Sequence, residues 1–359
     1  RGCLLPEAEV LTRKGWVSLE SFRQGTEALQ WNQSDGSLIW GIPNKVEYDC
    51  SEDLIECDSE QHKCIYTNDH RIASYQPNTN KFDVRTAKET TLTYRQLPVS
   101  GLIQDNKALK LLDLIRVIVM VQADGCISEG NIILSFKKEF KANRCVQLLK
   151  NAGLSYTNPK GNTDYFRYSI RTIDAKEIIG LLGKDKQFGP WLLDLDTETL
   201  QAFIDEIQYW DAQKEKNHVR YNTKHKNNAD WVATIAHLCG KKTHTSFHPY
   251  SYCPIWRVSI VNSIRVSLKP GYWRPYKYTG KVYCFETDTG FFLCRYKDNI
   301  FVTGNSKFGR LSSSKTIFGT GTNNQNLPQE FKKFLVADNG YIFWEVDKRQ
   351  AEWVVVAYL

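Results

Sequence analysis

The sequence predicts an all-β unit interrupted by an α+β unit that carries an internal two-fold repeat. Three observations lead there. Residues 3–60 show brief apolar alternation broken by Gly, Asn-Gln and Asp-Gly turns, the pattern of short strands. Residues 281–302, KVYCFETDTGFFLCRYKDNIFV, read as a hairpin across TDTG with another turn at KDN. Between them, residues 109–171 and 197–260 are two copies of one pattern. Neither β segment is long enough to be a domain alone. The two are expected to join into one fold whose ends lie close together, where an insertion is tolerated.

The first copy opens with LKLLDLIRVIVMVQADG, in which Leu111, Leu112, Leu114, Ile115, Val117 and Ile118 form an apolar helical face ending at Asp124. The second opens with LQAFIDEIQYWDAQ, where Leu200, Phe203, Ile204, Ile207 and Trp210 keep helical spacing up to Asp211. Each copy continues through a polar, strand-like stretch into a second apolar helix closed by glycine. Gly153 and Gly240 both follow their aspartate by the same interval, 124 to 153 and 211 to 240. A strand comes next, YFRYSIR in one copy and IWRVSIV in the other.

A carboxylate at a helix carboxyl end opposes the helix dipole. Two such helices side by side would bring Asp124 and Asp211 together, and close carboxylates repel unless a divalent cation lies between them. The chemistry this suggests is metal-assisted phosphodiester hydrolysis. Strands such as FRYSIR, VRYNTKHK and IWRVSIV alternate long basic or polar side chains with apolar ones, as a half-buried sheet lying on DNA would.

Composition agrees with a polyanion partner. The net charge is +7, and 10 Trp, 18 Tyr and 17 Phe are interleaved with 47 Lys and Arg. A chain of 359 residues is long enough for two or three domains with cores of their own. No apolar run approaches the roughly 20 residues that span a bilayer, and RGCLLPEAEV lacks a secretory pattern, so a cytoplasmic protein without a membrane partner is expected. Ten scattered cysteines without a CxxC pair read as reduced thiols. Cys50, Cys57 and Cys64 lie near His62 and His70, but their spacing is not that of the common zinc fingers.

On these residues, LLDLIRVIVMVQADG resembles a LAGLIDADG homing endonuclease motif, with FIDEIQYWDAQ as a diverged second copy. The resemblance implies Mg²⁺-dependent double-strand cleavage at a long, specific DNA site, with Asp124 and Asp211 as the metal ligands. Ala212 stands where the family has a glycine that allows close helix crossing. The family's assisting lysines come from later strands; Lys137 and Lys224, at equal distances from their aspartates, are the candidates the sequence offers.

The flanking β segments resemble the parts of an intein. CLLPEAEVLTRKGWVSL is similar to a first splicing block, YTNDHRI to the TxxH block, and VYCFETDTGFFLCRYKDNIFVTGNS to the terminal pair of blocks. The implied fold is the all-β Hint splicing fold, interrupted by an α+β pseudo-two-fold LAGLIDADG domain. Its implied divisions are residues 1–2 as upstream host remnant, 3–107 and 266–305 as the two parts of the splicing domain, 108–265 as the endonuclease, and 306–359 as downstream host.

Each splicing position has a chemical reason. Cys3 can attack the carbonyl of Gly2, which offers it without steric hindrance, and turn a peptide into a thioester. The departing amine must gain a proton, which suits His70, while Thr67 could stabilise the oxyanion. Cys284 stands where many inteins carry an aspartate that assists the middle step. Ser306 then attacks the thioester, and the Asn305 side chain cyclises to release residues 3–305. Gly304 replaces the histidine that many inteins have before the final asparagine. No cofactor is implied for splicing.

Beyond Ser306, GRLSSS, NNQNLP and VDKRQAEWVVVAYL resemble the palm of family A DNA polymerases. The match makes Asp347 a metal ligand at the end of the strand YIFWEV, in a fragment too short to polymerise. The implied partners are the flanking polymerase segments and, as DNA target, the polymerase gene without its insert; the chain is expected to be a monomer. Two alternatives remain: a degenerate insert that binds DNA without cutting it, and a Hedgehog-like unit that cleaves without ligating.

Overall fold

The computed structural model describes residues 2–104, 109–157, 165–216, 218–249 and 253–304, and the backbone of 345–349 and 352–356. Asn305 and Ser306 lie outside the described residues. The chain divides into two compact units, Arg1–Lys307 and Phe308–Leu359.

The first unit begins with β1 (Glu9–Thr12) and β2 (Gly15–Ser18), joined at Gly15, whose φ of +105° only glycine adopts readily. Then come β3 (Ala28–Trp31), β4 (Leu38–Gly41), the long β5 (Asn44–Asp58), β6 (Lys63–Tyr66), β7 (Arg71–Tyr75), β8 (Phe82–Thr86), the single turn α1 (Ala87–Thr90) and β9 (Arg95–Pro98). Thr86 and Glu89 form a reciprocal capping box that starts α1.

The first repeat follows as α2 (Leu112–Asp124), β10 (Gly125–Ser128), β11 (Asn131–Phe136), α3 (Glu139–Asn151), β12 (Tyr156–Thr157) and β13 (Phe166–Ile170), with α4 (Thr172–Leu182) leading out. The second is α5 (Thr197–Ile207), β14 (Ala212–Lys214), β15 (His218–Thr223), α6 (Lys226–Leu238), β16 (Lys242–His248) and β17 (Ile255–Val261). The chain returns to strands in β18 (Arg265–Leu268), β19 (Trp273–Glu286), β20 (Phe291–Tyr296) and β21 (Asn299–Gly304).

The strands after residue 264 pair with those before residue 99. β18 joins β9, β19 runs antiparallel to β5 along its length, and β20 lies between β1 and β3 and carries β21. The two β segments therefore make one body. Its core is built from both, with Leu4, Leu54, Tyr66, Val282, Phe285, Phe292 and Phe301 all buried. The expected hairpin across TDTG is not formed, because β19 pairs with β5 and β20 with β1 and β3, in different sheets. Phe285 and Phe292 meet across that crossing, 4.9 Å between ring centroids. The expected turn at KDN is present: Tyr296 pairs with Asn299, and Lys297 takes a φ of +55°.

The two repeats have the same topology. Their four-stranded sheets run β10-β11-β13-β12 and β14-β15-β17-β16, and α2 packs against α5 between them. α2 is buried on more than one side, through Ile115, Val117, Ile118, Val119, Met120 and Val121. Burying one such aliphatic side chain contributes roughly 1.5–3 kcal/mol. α5 starts at Asp196, whose carboxylate accepts from the Thr199 amide at 2.7 Å. It ends at Ile207, four residues before the expected end at Asp211, which lies in a turn.

The residue after the aspartate also differs between the repeats. A Cβ on Gly125 would meet the Val121 carbonyl oxygen at 2.6 Å, so only glycine lets a strand leave α2 directly. The second repeat has Ala212 at this position, and there a turn separates the helix from the strand.

The repeat is not a loosely hung insert. One core cluster combines Leu11, Leu29, Trp31 and Phe291 with Val232, Ile235 and the α2 side chains. His237 of α6 donates from Nδ1 to the Val99 carbonyl at 2.6 Å, and Trp16 donates to Thr234 at 2.8 Å.

Of the second unit, the described backbone is a hairpin of β22 (Glu345–Arg349) and β23 (Glu352–Val356). Asp347 stands within β22, opposite Val354, rather than at a strand end beside a helix as the polymerase resemblance implies. Among the described residues, no helix is long and apolar enough to cross a membrane.

Candidate functional site

The first centre forms where the chain enters the β body. Leu4 exchanges both main-chain hydrogen bonds with Tyr283, each 2.9 Å. That pairing places Cys3 opposite Cys284 at a non-hydrogen-bonded position, where Cα atoms stand about 4.5 Å apart. They are 4.3 Å apart, and the two sulfurs are joined in a disulfide across 281 residues of sequence. The reduced thiols expected from the sequence are thus corrected at this one pair; the other eight cysteines are in no disulfide.

Cys3 is held by the TNDH turn. Its amide donates to Thr67 Oγ1 at 2.8 Å, and the Thr67 hydroxyl and amide both donate to the Cys3 carbonyl at 3.2 Å. The Thr67 carbonyl accepts from the His70 amide at 3.0 Å, so threonine, cysteine and histidine are fixed as one turn. Thr67 therefore grips the Cys3 peptide itself.

His70 is fully buried. Burial pushes its imidazole down to about 3, opposed by the main chain of Gly2 and Cys3. Its Nδ1 has no hydrogen bond of normal geometry among the described residues, although those main-chain groups are close enough to favour the protonated ring. Nε2 is 2.6 Å from Thr303 Oγ1, on the strand that ends at Gly304. Sequence reasoning missed Thr303; the signal available was a single hydroxyl in the apolar strand IFVTG. A Cβ on Gly304 would be 2.6 Å from the Phe291 ring and 3.0 Å from the Arg71 carbonyl, so no histidine fits there without displacement.

The second centre lies between the repeats. Asp124 ends α2, and Lys141 of α3 donates to its Oδ2 at 2.6 Å. Burial pushes the Asp211 carboxyl up, the Asp124 charge pushes it further, and Lys141 and Lys186 oppose both. Burial pushes the Lys186 ammonium down, against the pull of Asp211 and Asp124. The two aspartates and two lysines therefore share one electrostatic neighbourhood. Lys137 instead lies over the Tyr165 ring at 5.1 Å, and Lys224 is exposed.

Glu206 organises this centre and was not singled out in the sequence. Fully buried on α5, it accepts from Arg144 Nε at 2.7 Å, Arg116 Nη1 at 3.2 Å and Trp210 Nε1 at 2.8 Å. It ties α5 to α2 and α3, and through Trp210 holds the turn that carries Asp211. Among the described residues no group of three or more His, Cys, Asp or Glu side chains could hold a metal, and Cys50, Cys57 and Cys64 form no such cluster.

No protein-family model matches the chain. It is 23% identical over 351 residues to the ribonucleoside-diphosphate reductase subunit beta of Aquifex aeolicus, a match covering 84% of this chain and 50% of that protein. The chain thus spans about half the length of the curated relative it matches. Among solved structures it is similar to LAGLIDADG homing endonucleases. I-DmoI in complex with DNA and Mn is 15% identical, with a TM-score of 0.32, covering 41% of this chain and 88% of that one. The N-terminal LAGLIDADG domain of DUF199/WhiA is 11% identical, with a TM-score of 0.29, covering 42% and 75%. The AceL NrdHF class 3 split intein is 8% identical, with a TM-score of 0.31, covering 85% and 98%.

Proposed function

We propose that the chain is a self-splicing intein precursor that excises residues 3–305 and joins Gly2 to Ser306, and that its repeated insert is a DNA endonuclease. One observation supports this most. Cys3, Thr67, His70, Cys284 and Thr303 come from opposite ends of the first unit, yet meet in one buried centre.

Splicing follows from that centre once Cys3 is a free thiol. Cys3 Sγ attacks the Gly2 carbonyl carbon, and the peptide bond to the Cys3 nitrogen breaks as the thioester forms. His70 is neutral in the folded state, so the proton it gives the departing amine is first taken from the thiol. The Thr67 grip keeps the Cys3 peptide in place during the exchange. The Ser306 hydroxyl then displaces the thioester sulfur to give a branched ester. The Asn305 side-chain nitrogen attacks its own carbonyl, which frees the Ser306 amine, and that amine attacks the ester to restore a peptide bond.

In the insert, Asp124 and Asp211 would hold the divalent cation. They fit it because two carboxylates in one partly buried site raise each other's affinity for positive charge. When bound, Mg²⁺ would supply activation of water and stabilisation of the leaving oxygen. Lys186 and Lys141 would neutralise scissile phosphate oxygens. A binding-only insert is favoured by one feature, the closure of Lys141 on Asp124. Cleavage of a plasmid carrying the uninterrupted host gene decides between these readings.

The host reading rests on GRLSSS, NNQNLP and VDKRQAEWVVVAYL, which resemble a family A DNA polymerase. Residues 306–359 make up less than a sixth of the chain, so a match over 84% of it to a reductase subunit must lie mainly within residues 3–305. Shared sequence there beside a different host is what a mobile element would leave.

Intact mass spectrometry of the purified chain over time, beside Cys3→Ala, tests the central reading. A product with the mass of residues 3–305 less one water, with a ligated Arg1-Gly2-Ser306–Leu359 chain, is expected from the wild type alone. An unchanging wild-type mass under reducing conditions would overturn it.

A further inference from the structure

The disulfide between Cys3 and Cys284 has no place in the splicing steps, and while it persists the first step cannot begin. We propose that this bond is a redox latch on excision: oxidation of the pair holds the precursor intact, and a low-molecular-weight thiol releases it. The inference rests on the splicing reading and adds the condition under which that reaction starts.

Two features of the structure support it beyond the bond itself. The Leu4–Tyr283 pairing fixes the two cysteines opposite each other through the backbone, so the thiols stay adjacent after reduction and can re-form the bond. The buried neighbours do not compete for it. Cys57 and Cys64 are paired across β5 and β6 and remain free thiols, and burial pushes both toward the protonated, unreactive form.

Opening is a two-electron exchange. A thiolate attacks one sulfur of the pair and forms a mixed disulfide, and the other cysteine leaves as a thiolate that takes a proton from solvent. A second thiol displaces the mixed disulfide, giving two protein thiols and one small-molecule disulfide. Closing reverses this, with the small-molecule disulfide as oxidant. Cys3 and Cys284 are nearly inaccessible, at 1% and 2% exposure, so exchange needs local opening of the Leu4 bridge.

The test uses the full chain purified without reductant and divided between buffer, dithiothreitol, and glutathione with its disulfide. Alkylation under denaturing conditions is expected to label eight of the ten cysteines before reduction and all ten after it, with a mass gain of about 2 Da before labelling. Excised product should appear only with reductant. In Cys284→Ser and Cys284→Asp, whatever their absolute rates, the ratio of rates with and without reductant should fall to one. Ten labelled cysteines in the unreduced chain, or equal wild-type excision with and without reductant, would overturn the latch while leaving splicing intact. A Cys3–Cys284 peptide that maps and reduces in a chain that never excises would instead overturn the splicing reading, and the latch with it.

Discussion

The two centres handle buried charge in opposite ways. Around Cys3 charge is removed: burial disfavours a charged His70, whose ring lies beside a hydroxyl and an aromatic, and Cys3 is tied up as a disulfide. Between the repeats charge is kept and balanced, with two carboxylates against two lysines and the Glu206 carboxylate against two guanidiniums. The difference teaches what each lacks. On the proposed reading, the first would need a freed thiol to set a proton carrier in motion, and the second a cation between its aspartates.

The largest effects should separate the two centres completely. Cys3→Ala is expected to abolish excision and leave DNA cleavage unchanged. Asp211→Asn is expected to lower cleavage by roughly a hundredfold or more and leave excision unchanged. Intact mass and plasmid linearisation on the same preparations read both. Loss of both activities in either variant would show that the shared core, rather than separate chemistry, links them.

Acid should distinguish them next. His62 and His70 are pushed down to about 3 and His237 to about 4, in each case by burial. The unfolded chain, with histidines near 6.5, binds these protons and the folded chain refuses them. Stability is therefore full above pH 6.5 and is lost as pH falls from there toward 4. The slope is up to about 1.4 kcal/mol per pH unit for each histidine. Urea midpoints between pH 7 and 4.5 check this, and His62→Phe, which removes one of the three, should flatten the curve. A flat profile in the wild type would mean that these rings are charged when folded.

Glu206→Ala comes next, with an expected loss of about 3–5 kcal/mol, because it strands Arg116 and Arg144 around a cavity. Glu206→Gln should lose less, since an amide oxygen still accepts from the arginines. Equal losses would mean that the arginines turn to solvent.

Much of the repeat was legible because a duplicated pattern states its own register. Equal intervals from each aspartate to its closing glycine led to two identical sheet orders, and the buried faces of α2 and α5 follow the expected 3.6-residue spacing. The end of α5 was misjudged because apolar helical spacing continues through Trp210, while the backbone leaves the helix at Ile207. The TDTG crossing was misjudged because local alternation cannot say which distant strand a segment will join. Nor could it reveal the Cys3–Cys284 bond, set by a pairing across 281 residues, or Lys186, which reaches the aspartates from a linker without periodicity. The meeting of Cys3, Thr67 and His70 in one turn was approachable from the TNDH spacing. Thr303 was not, since its role depends on the strand being laid against His70.

The smallest effect is the sharpest test of the second centre. With no cation present, burial and the Asp124 charge push the Asp211 carboxyl up, and the lysines only partly offset them. A carboxyl raised above its unfolded value loses stability as pH rises through that raised value, so the charged form of Asp211 works against folding. Asp211→Asn removes it at nearly constant volume. The variant should melt higher than the wild type by on the order of 2 °C without added metal. Adding Mg²⁺ should raise the wild type toward the variant and leave the variant unmoved, since the cation supplies what the substitution makes unnecessary. A variant that melts lower would mean that the Lys141 and Lys186 charges outweigh burial, and that the site is an ion-pair brace between the repeats rather than one held ready for a metal.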